Sequence, residues 1–111
     1  MAMNESKSTT LAEIQDRIGA FVADRQWQDV HTLKNLCIDV AVEAGELLQI
    51  VQWRSDSELE ELSPEDMSRI QDEVADVLIG CLKICNVVGI DPQTSTLAKI
   101  RQDEEKYPAK R

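Results

Sequence analysis

Apolar residues recur along the chain at helical spacing, and no segment alternates with period two over a useful length. Leu11, Ile14, Ile18, Phe21 and Val22 predict a first helix over roughly 11–25, and Thr10 followed by Glu13 reads as a capping box that starts it. Residues 27–31 interrupt the pattern. Leu33, Leu36, Val40, Leu47 and Val51 then carry a second helix over about 32–51. Residues 55–63 are polar and acidic and read as a surface connection. Ser63-Pro64-Glu65-Asp66 is a strong start signal: a capping hydroxyl, proline in the first turn, and acids near the positive end of the helix dipole. The third helix runs to Val88 and stops at Gly89. Asp91-Pro92 opens a fourth, which fades before Tyr107-Pro108. Four helices with short links predict an all-α four-helix bundle. The expected organisation is a flexible N-terminus over 1–9, a single helical domain over 10–108 and a tail over 109–111.

The third helix is apolar almost all round from Val74 to Val88, broken chiefly by Asp76, Lys83 and Asn86. Such a helix belongs inside something, and a small four-helix monomer has trouble covering it. An oligomer is therefore expected.

Polar positions on the two middle helices are as ordered as the apolar ones. The acids between Leu36 and Val51 are Asp39, Glu43 and Glu46, which fall within a stripe about 60° wide. On the third helix Arg69, Glu73, Asp76, Gly80 and Lys83 share one face. A solvated face is the simplest reading of any single acidic pair. These stripes, however, are narrow and carry few of the lysines that lace an exposed helix face. Carboxylates gathered beside a core repel one another unless a cation neutralises them. With no histidine or thiol in the set, Glu43, Glu46, Glu73 and Asp76 make a hard oxygen site suited to Mg²⁺, with Mn²⁺ as the alternative.

Composition narrows the function classes. The chain has 111 residues, the size of one domain. Twelve Lys and Arg against 21 Asp and Glu give a net charge of −9, which argues against a general grip on nucleic acid or an anionic membrane. No run approaches a membrane span, and the first ten residues lack the apolar stretch of a signal peptide. Cys37, Cys81 and Cys85 all sit in apolar runs, which points to reduced core thiols and a cytoplasmic protein.

The order of motifs is also familiar. Val42-Glu43-Ala44-Gly45-Glu46-Leu47, then Gln52-Trp53-Arg54, then Asp72 to Leu78, then Lys99 and Tyr107-Pro108 resemble the MazG-like nucleotide pyrophosphohydrolases, and most of all their dCTP pyrophosphatase branch. The resemblance implies hydrolysis of a nucleoside triphosphate, a dCTP-like one first, to the monophosphate and pyrophosphate. It implies Glu43, Glu46, Glu73 and Asp76 as catalytic metal ligands, and a homotetramer built from two dimers. Trp27 and Trp53 match tryptophans that flank the base. His31, Lys34 and Asn35 lie near that site, and Lys99, Lys106 and Tyr107 match C-terminal phosphate contacts. The chain departs from the branch at Ile18, where a histidine is usual, at Gly80, where a tyrosine is usual, and at Asp103, where an asparagine is usual. Gly80 is expected to open space in the pocket. These departures leave the metal site intact and unsettle the choice of base. The rival reading is a non-catalytic acidic helical module whose apolar helix docks to a partner.

Overall fold

The computed structural model describes residues 8–110, so most of the N-terminal segment expected to be flexible lies outside the described residues. Among those residues the chain forms four helices of two or more turns and no strand. Each helix starts where its capping chemistry directs. Helix α1, Leu11–Asp24, follows the Thr10 capping box: the Thr10 hydroxyl accepts from the Glu13 amide at 3.1 Å, and the Glu13 carboxylate accepts from the Thr10 amide at 3.4 Å. Helix α2, Leu33–Val51, is capped by Thr32, whose hydroxyl accepts from the Asn35 amide. Helix α3, Pro64–Val88, has the Ser63 cap, the N-terminal proline and the first-turn acids read from sequence. It ends at Gly89, whose φ of 76° is the left-handed turn that glycine adopts at little cost. Helix α4, Pro92–Lys106, is capped by Asp91.

The end of α1 was less legible. Gln26 takes the left-handed conformation, φ 56°, and the amides of Gln26 and Trp27 return to the carbonyls of Ala23 and Val22. This is a Schellman terminus with glutamine where glycine is usual. It turns the chain sharply and sets Trp27 back over α1.

Helices α2 and α3 form the main packed pair, α1 packs on α3, and α4 stands almost free of the others. The all-helical expectation holds, but one chain does not close a four-helix bundle. Its hydrophobic core is small among the described residues: Ile18, Leu36, Ile50 and Leu82. The radius of gyration is 17.0 Å, against about 13 Å for a compact domain of this length. Much of α3 therefore remains bare, with Leu78 58% exposed and Val74, Ile79 and Val87 also open. The expectation of core cysteines fails for the same reason: Cys37 and Cys81 are exposed on faces that this chain does not cover, and all three thiols are free.

Candidate active site

Three contacts define an antiparallel register between α2 and α3. Leu36 shares a cavity with Lys83 and Val87. Val40 lies against Gly80. Glu43 faces Glu73 and Asp76. This register brings the two acidic stripes together.

Carboxylate oxygens of Glu43, Glu73 and Asp76 lie within 4.8 Å of one another. One oxygen each of Glu43 and Glu73 is buried with no hydrogen-bond partner. A buried acceptor without a donor is costly, and two that face a third carboxylate need a cation or a proton between them. The same crowding pushes Glu43 up to about 7, first through its hydrogen bond with Glu46, then through that with Glu73, with burial and the charges of Glu46 and Asp76 adding to it. Glu46 and Asp39, on the same stripe of α2, both stand outside the three-carboxylate group. Only hard oxygen donors are present, so the set fits Mg²⁺ or Mn²⁺ and not a soft metal.

Arg54, just after α2, donates to Asp66 in the first turn of α3 through both guanidinium nitrogens, at 2.5 and 3.2 Å. The fork ties the acidic connection to the start of α3 and holds Asp66 below its ordinary value. No helix among the described residues is long and apolar enough to cross a membrane.

The remaining predicted residues are scattered. Trp27 packs edge-on against Phe21, ring centroids 5.5 Å apart, and tilted against His31 at 5.6 Å. Trp53 is 88% exposed beyond the far end of α2. The 19 residues of α2 span about 28 Å, so the two tryptophans of one chain cannot flank one base. Lys34 is exposed at the start of α2. Asn35 uses its side-chain amide locally, donating to the Val30 carbonyl at 2.9 Å and so fastening the 26–31 turn to α2. Lys99 pairs with Asp103 one turn on, at 3.0 Å, and Lys106 lies 5.4 Å from the centre of the Tyr107 ring. Both lysines belong to the outlying α4 and Tyr107 follows it, apart from the carboxylates within one chain.

Gly80 does not open the pocket as its sequence position suggested. A Cβ there would meet Cγ2 of Val40 at 2.8 Å, so the glycine lets α2 and α3 approach and Val40 fills the gap.

Sequence reading missed a second concavity. A half-open cavity of about 220 Å³ lies beyond the Val40–Gly80 contact, walled by Val22, Leu36 and Val87 and edged by Gln28, His31, Lys83 and Asn86. Its signal was present: Lys83 and Asn86 are polar interruptions of an otherwise apolar helix, and Lys83 lies on the face that carries the acids.

Comparison with known proteins agrees with this geometry. Residues 38–111 match the MazG-like family. The chain is 31% identical over 106 residues to dCTP pyrophosphatase 1 of Homo sapiens, covering 94% of this chain and 62% of that protein. It is 30% identical over 105 residues to the Rattus norvegicus protein of the same name, covering 93% and 62%. The chain thus spans less than two thirds of the length of these relatives. A pyrophosphatase from Archaeoglobus fulgidus DSM 4304 has the same fold, with a TM-score of 0.82 and 37% identity over 89% of this chain and 93% of that one. With the acidic motifs facing across α2 and α3 and most of the chain matched, this protein belongs to the MazG-like family.

Proposed function

We propose that this protein is a Mg²⁺-dependent nucleoside triphosphate pyrophosphohydrolase, with dCTP or a related deoxynucleotide as its first substrate. The observation that carries the reading is the group of three carboxylates within 4.8 Å, two of them with a buried oxygen that has no partner. A passive acidic surface has no reason to bring such oxygens together, which disfavours the rival interaction module. The activity for which the relatives are named supplies the reaction class.

In this reading Glu43, Glu73 and Asp76 would hold the ion, with Glu46 one turn from Glu43 on the same face of α2. When bound, a divalent ion there would neutralise triphosphate oxygens and make the phosphorus more open to attack. The chain's own groups orient the nucleotide. Water adds to the α-phosphorus and gives its proton to one of the four carboxylates, the bond from that phosphorus to the α–β bridging oxygen breaks, and pyrophosphate leaves with that oxygen. Trp27 and Trp53 bracket the base, with His31, Lys34 and Asn35 around it, and Lys99, Lys106 and Tyr107 engage the phosphates.

That assignment draws on more than one chain. Two observations support a homo-oligomer, a tetramer of two dimers in the preferred form. The first is the separation of Trp27 and Trp53 within one chain. The second is the bare apolar face of α3, continued by a groove of about 590 Å³ between α1, α3 and the start of α4. Free thiols fit a cytoplasmic setting, where such an enzyme would clear excess or unwanted deoxynucleotides.

Pyrophosphate release from the eight common nucleotides with Mg²⁺ tests the reading. Release from at least one is expected, with Glu46→Gln and Asp76→Asn each lowering it at least about a hundredfold. A folded protein that releases pyrophosphate from none would overturn it.

A further inference from the structure

We propose that the Arg54–Asp66 fork is a positioning pair that presents the Trp53 ring to the nucleotide. The proposal rests on the pyrophosphohydrolase reading and deepens it. Trp53 is the most exposed large hydrophobic residue among those described, and there its ring has no aromatic, cationic or hydrogen-bond partner. A bare indole beside a polar connection keeps its full freedom unless the backbone beneath it is held.

That backbone is held on both sides. On the α2 side, Ile50 is buried and the Gln52 amide donates to the Leu48 carbonyl at 2.9 Å. The Arg54 amide then donates to the Val51 carbonyl at 3.0 Å, which closes a tight turn with Gln52 and Trp53 at its centre. On the α3 side, the Arg54 guanidinium gives two nitrogens to the two oxygens of Asp66. Asp66 is itself fixed, because its amide donates to the Ser63 cap. The chain just beyond the fork is braced as well. The Ser55 hydroxyl accepts from the Glu58 amide at 3.2 Å, and the Glu58 carboxylate accepts from the Ser55 amide at 3.3 Å.

The fork ties the Trp53 turn directly to the helix that carries Glu73 and Asp76. Asp66 precedes Glu73 by seven residues on α3, which is two turns, about 10 Å, and nearly the same face. Without the fork, the tie on this side runs only through the polar connection of residues 55–63. Exposed ion pairs contribute little, but this one is two-pronged, and its side chains are only 34% and 16% exposed. Lysine would keep the charge and lose the planar fork. A ring on a pinned turn loses little freedom when a base stacks on it. A ring on a loose turn loses more, and the difference is read in KM.

Two measurements test this. The first is steady-state kinetics on the nucleotide that the wild type cleaves best, with Asp66→Asn, Arg54→Lys and the exchange Arg54→Asp/Asp66→Arg. Asp66→Asn should raise KM about three- to tenfold, the cost of ordering one large side chain, and leave kcat nearly unchanged. Arg54→Lys should fall between, and the exchange should recover most of the wild-type KM. A fall in kcat at constant KM, or no change in either, would overturn the proposal. The second measurement is the anisotropy decay of tryptophan fluorescence in nucleotide-free protein, with Trp27→Phe leaving Trp53 as the sole tryptophan. Asp66→Asn should enlarge the nanosecond component of local motion and leave the slow tumbling component as it was, and the exchange should reverse the gain. A local component that ignores Asp66→Asn makes the fork a staple for the chain alone and overturns the proposal. If the wild type cleaves no triphosphate, the reaction reading fails, and the anisotropy decay alone decides whether the fork holds the ring.

Discussion

At the scale of residues, two carboxylates impose opposite pH dependences on the same fold. Glu43 is pushed up to about 7 from an ordinary value of 4.5 by Glu46, Glu73 and Asp76. Between those values the folded chain binds the proton more tightly than the unfolded chain does, so stability falls as pH rises from 4.5 and levels off above 7. Metal-free protein should therefore lose melting temperature across that window. Glu43→Gln should flatten the loss and melt higher than wild type at pH 8, and Mg²⁺ should raise the wild type there but not the variant. A flat profile in metal-free wild type would contradict the crowding. Asp66 behaves in the other sense. The Arg54 fork, helped by Ser63, holds it below 3.8, so its contribution is present above that value and disappears as pH falls beneath it. Asp66→Asn should melt lower than wild type near neutrality and converge with it in acid. A constant gap down to low pH would remove the fork from the account.

At the scale of elements, the helix starts were legible because each depends on a few adjacent residues whose chemistry is local. Thr10 with Glu13, Ser63-Pro64 and Asp91-Pro92 satisfy orphan amides wherever the rest of the chain goes. The acidic cluster was legible too, because α2 and α3 carry their acids on single faces and the helices pair antiparallel. What escaped was a helix end built on an unusual residue, and whatever is set by contacts between elements. Gln26 holds a turn that glycine usually marks, and nothing local announces it. Gly80 reads as an opening from its position and proves to be a close approach, because the neighbour that fills it, Val40, lies forty residues earlier. The cavity behind it depends on that same pairing. Alanine at position 80 gains about 1 kcal/mol in helix propensity but forces its Cβ against a β-branched side chain that cannot swing aside. Overpacking of this kind costs about 1–3 kcal/mol, so Gly80→Ala should be neutral to destabilising in the wild type. In a Val40→Ala background the same change should stabilise by about 1 kcal/mol. Urea denaturation of the four proteins in this cycle reads the sign. Stabilisation in both backgrounds would mean that the helices have room to spare.

At the scale of the whole molecule, the open question is what covers the surfaces that one chain leaves bare. One chain leaves α3 bare, strands α4, and separates Trp27 from Trp53 by the length of α2. A sequence can announce that a helix is very apolar, as Val74 to Val88 does, but it does not say which surface would cover it. The separation of the tryptophans makes this testable through activity. If a base is held between Trp27 of one copy and Trp53 of another, Trp27→Ala and Trp53→Ala should each be nearly inactive, since each removes one wall from every site. Mixed, unfolded and refolded together, they should recover activity, because a site that takes Trp27 from a Trp53→Ala chain and Trp53 from a Trp27→Ala chain is whole. Random assembly at equal amounts makes about a quarter of the sites whole, so recovery should approach a quarter of the wild-type rate. A chain that built its site alone would give none. Leu78→Glu, on the bare face of α3, should act on the same property from the other side: a charge there should lower the mass measured by light scattering and the rate together. A monomer that keeps full activity would return both tryptophans to ordinary surface and core roles and leave the carboxylates as the whole of the site.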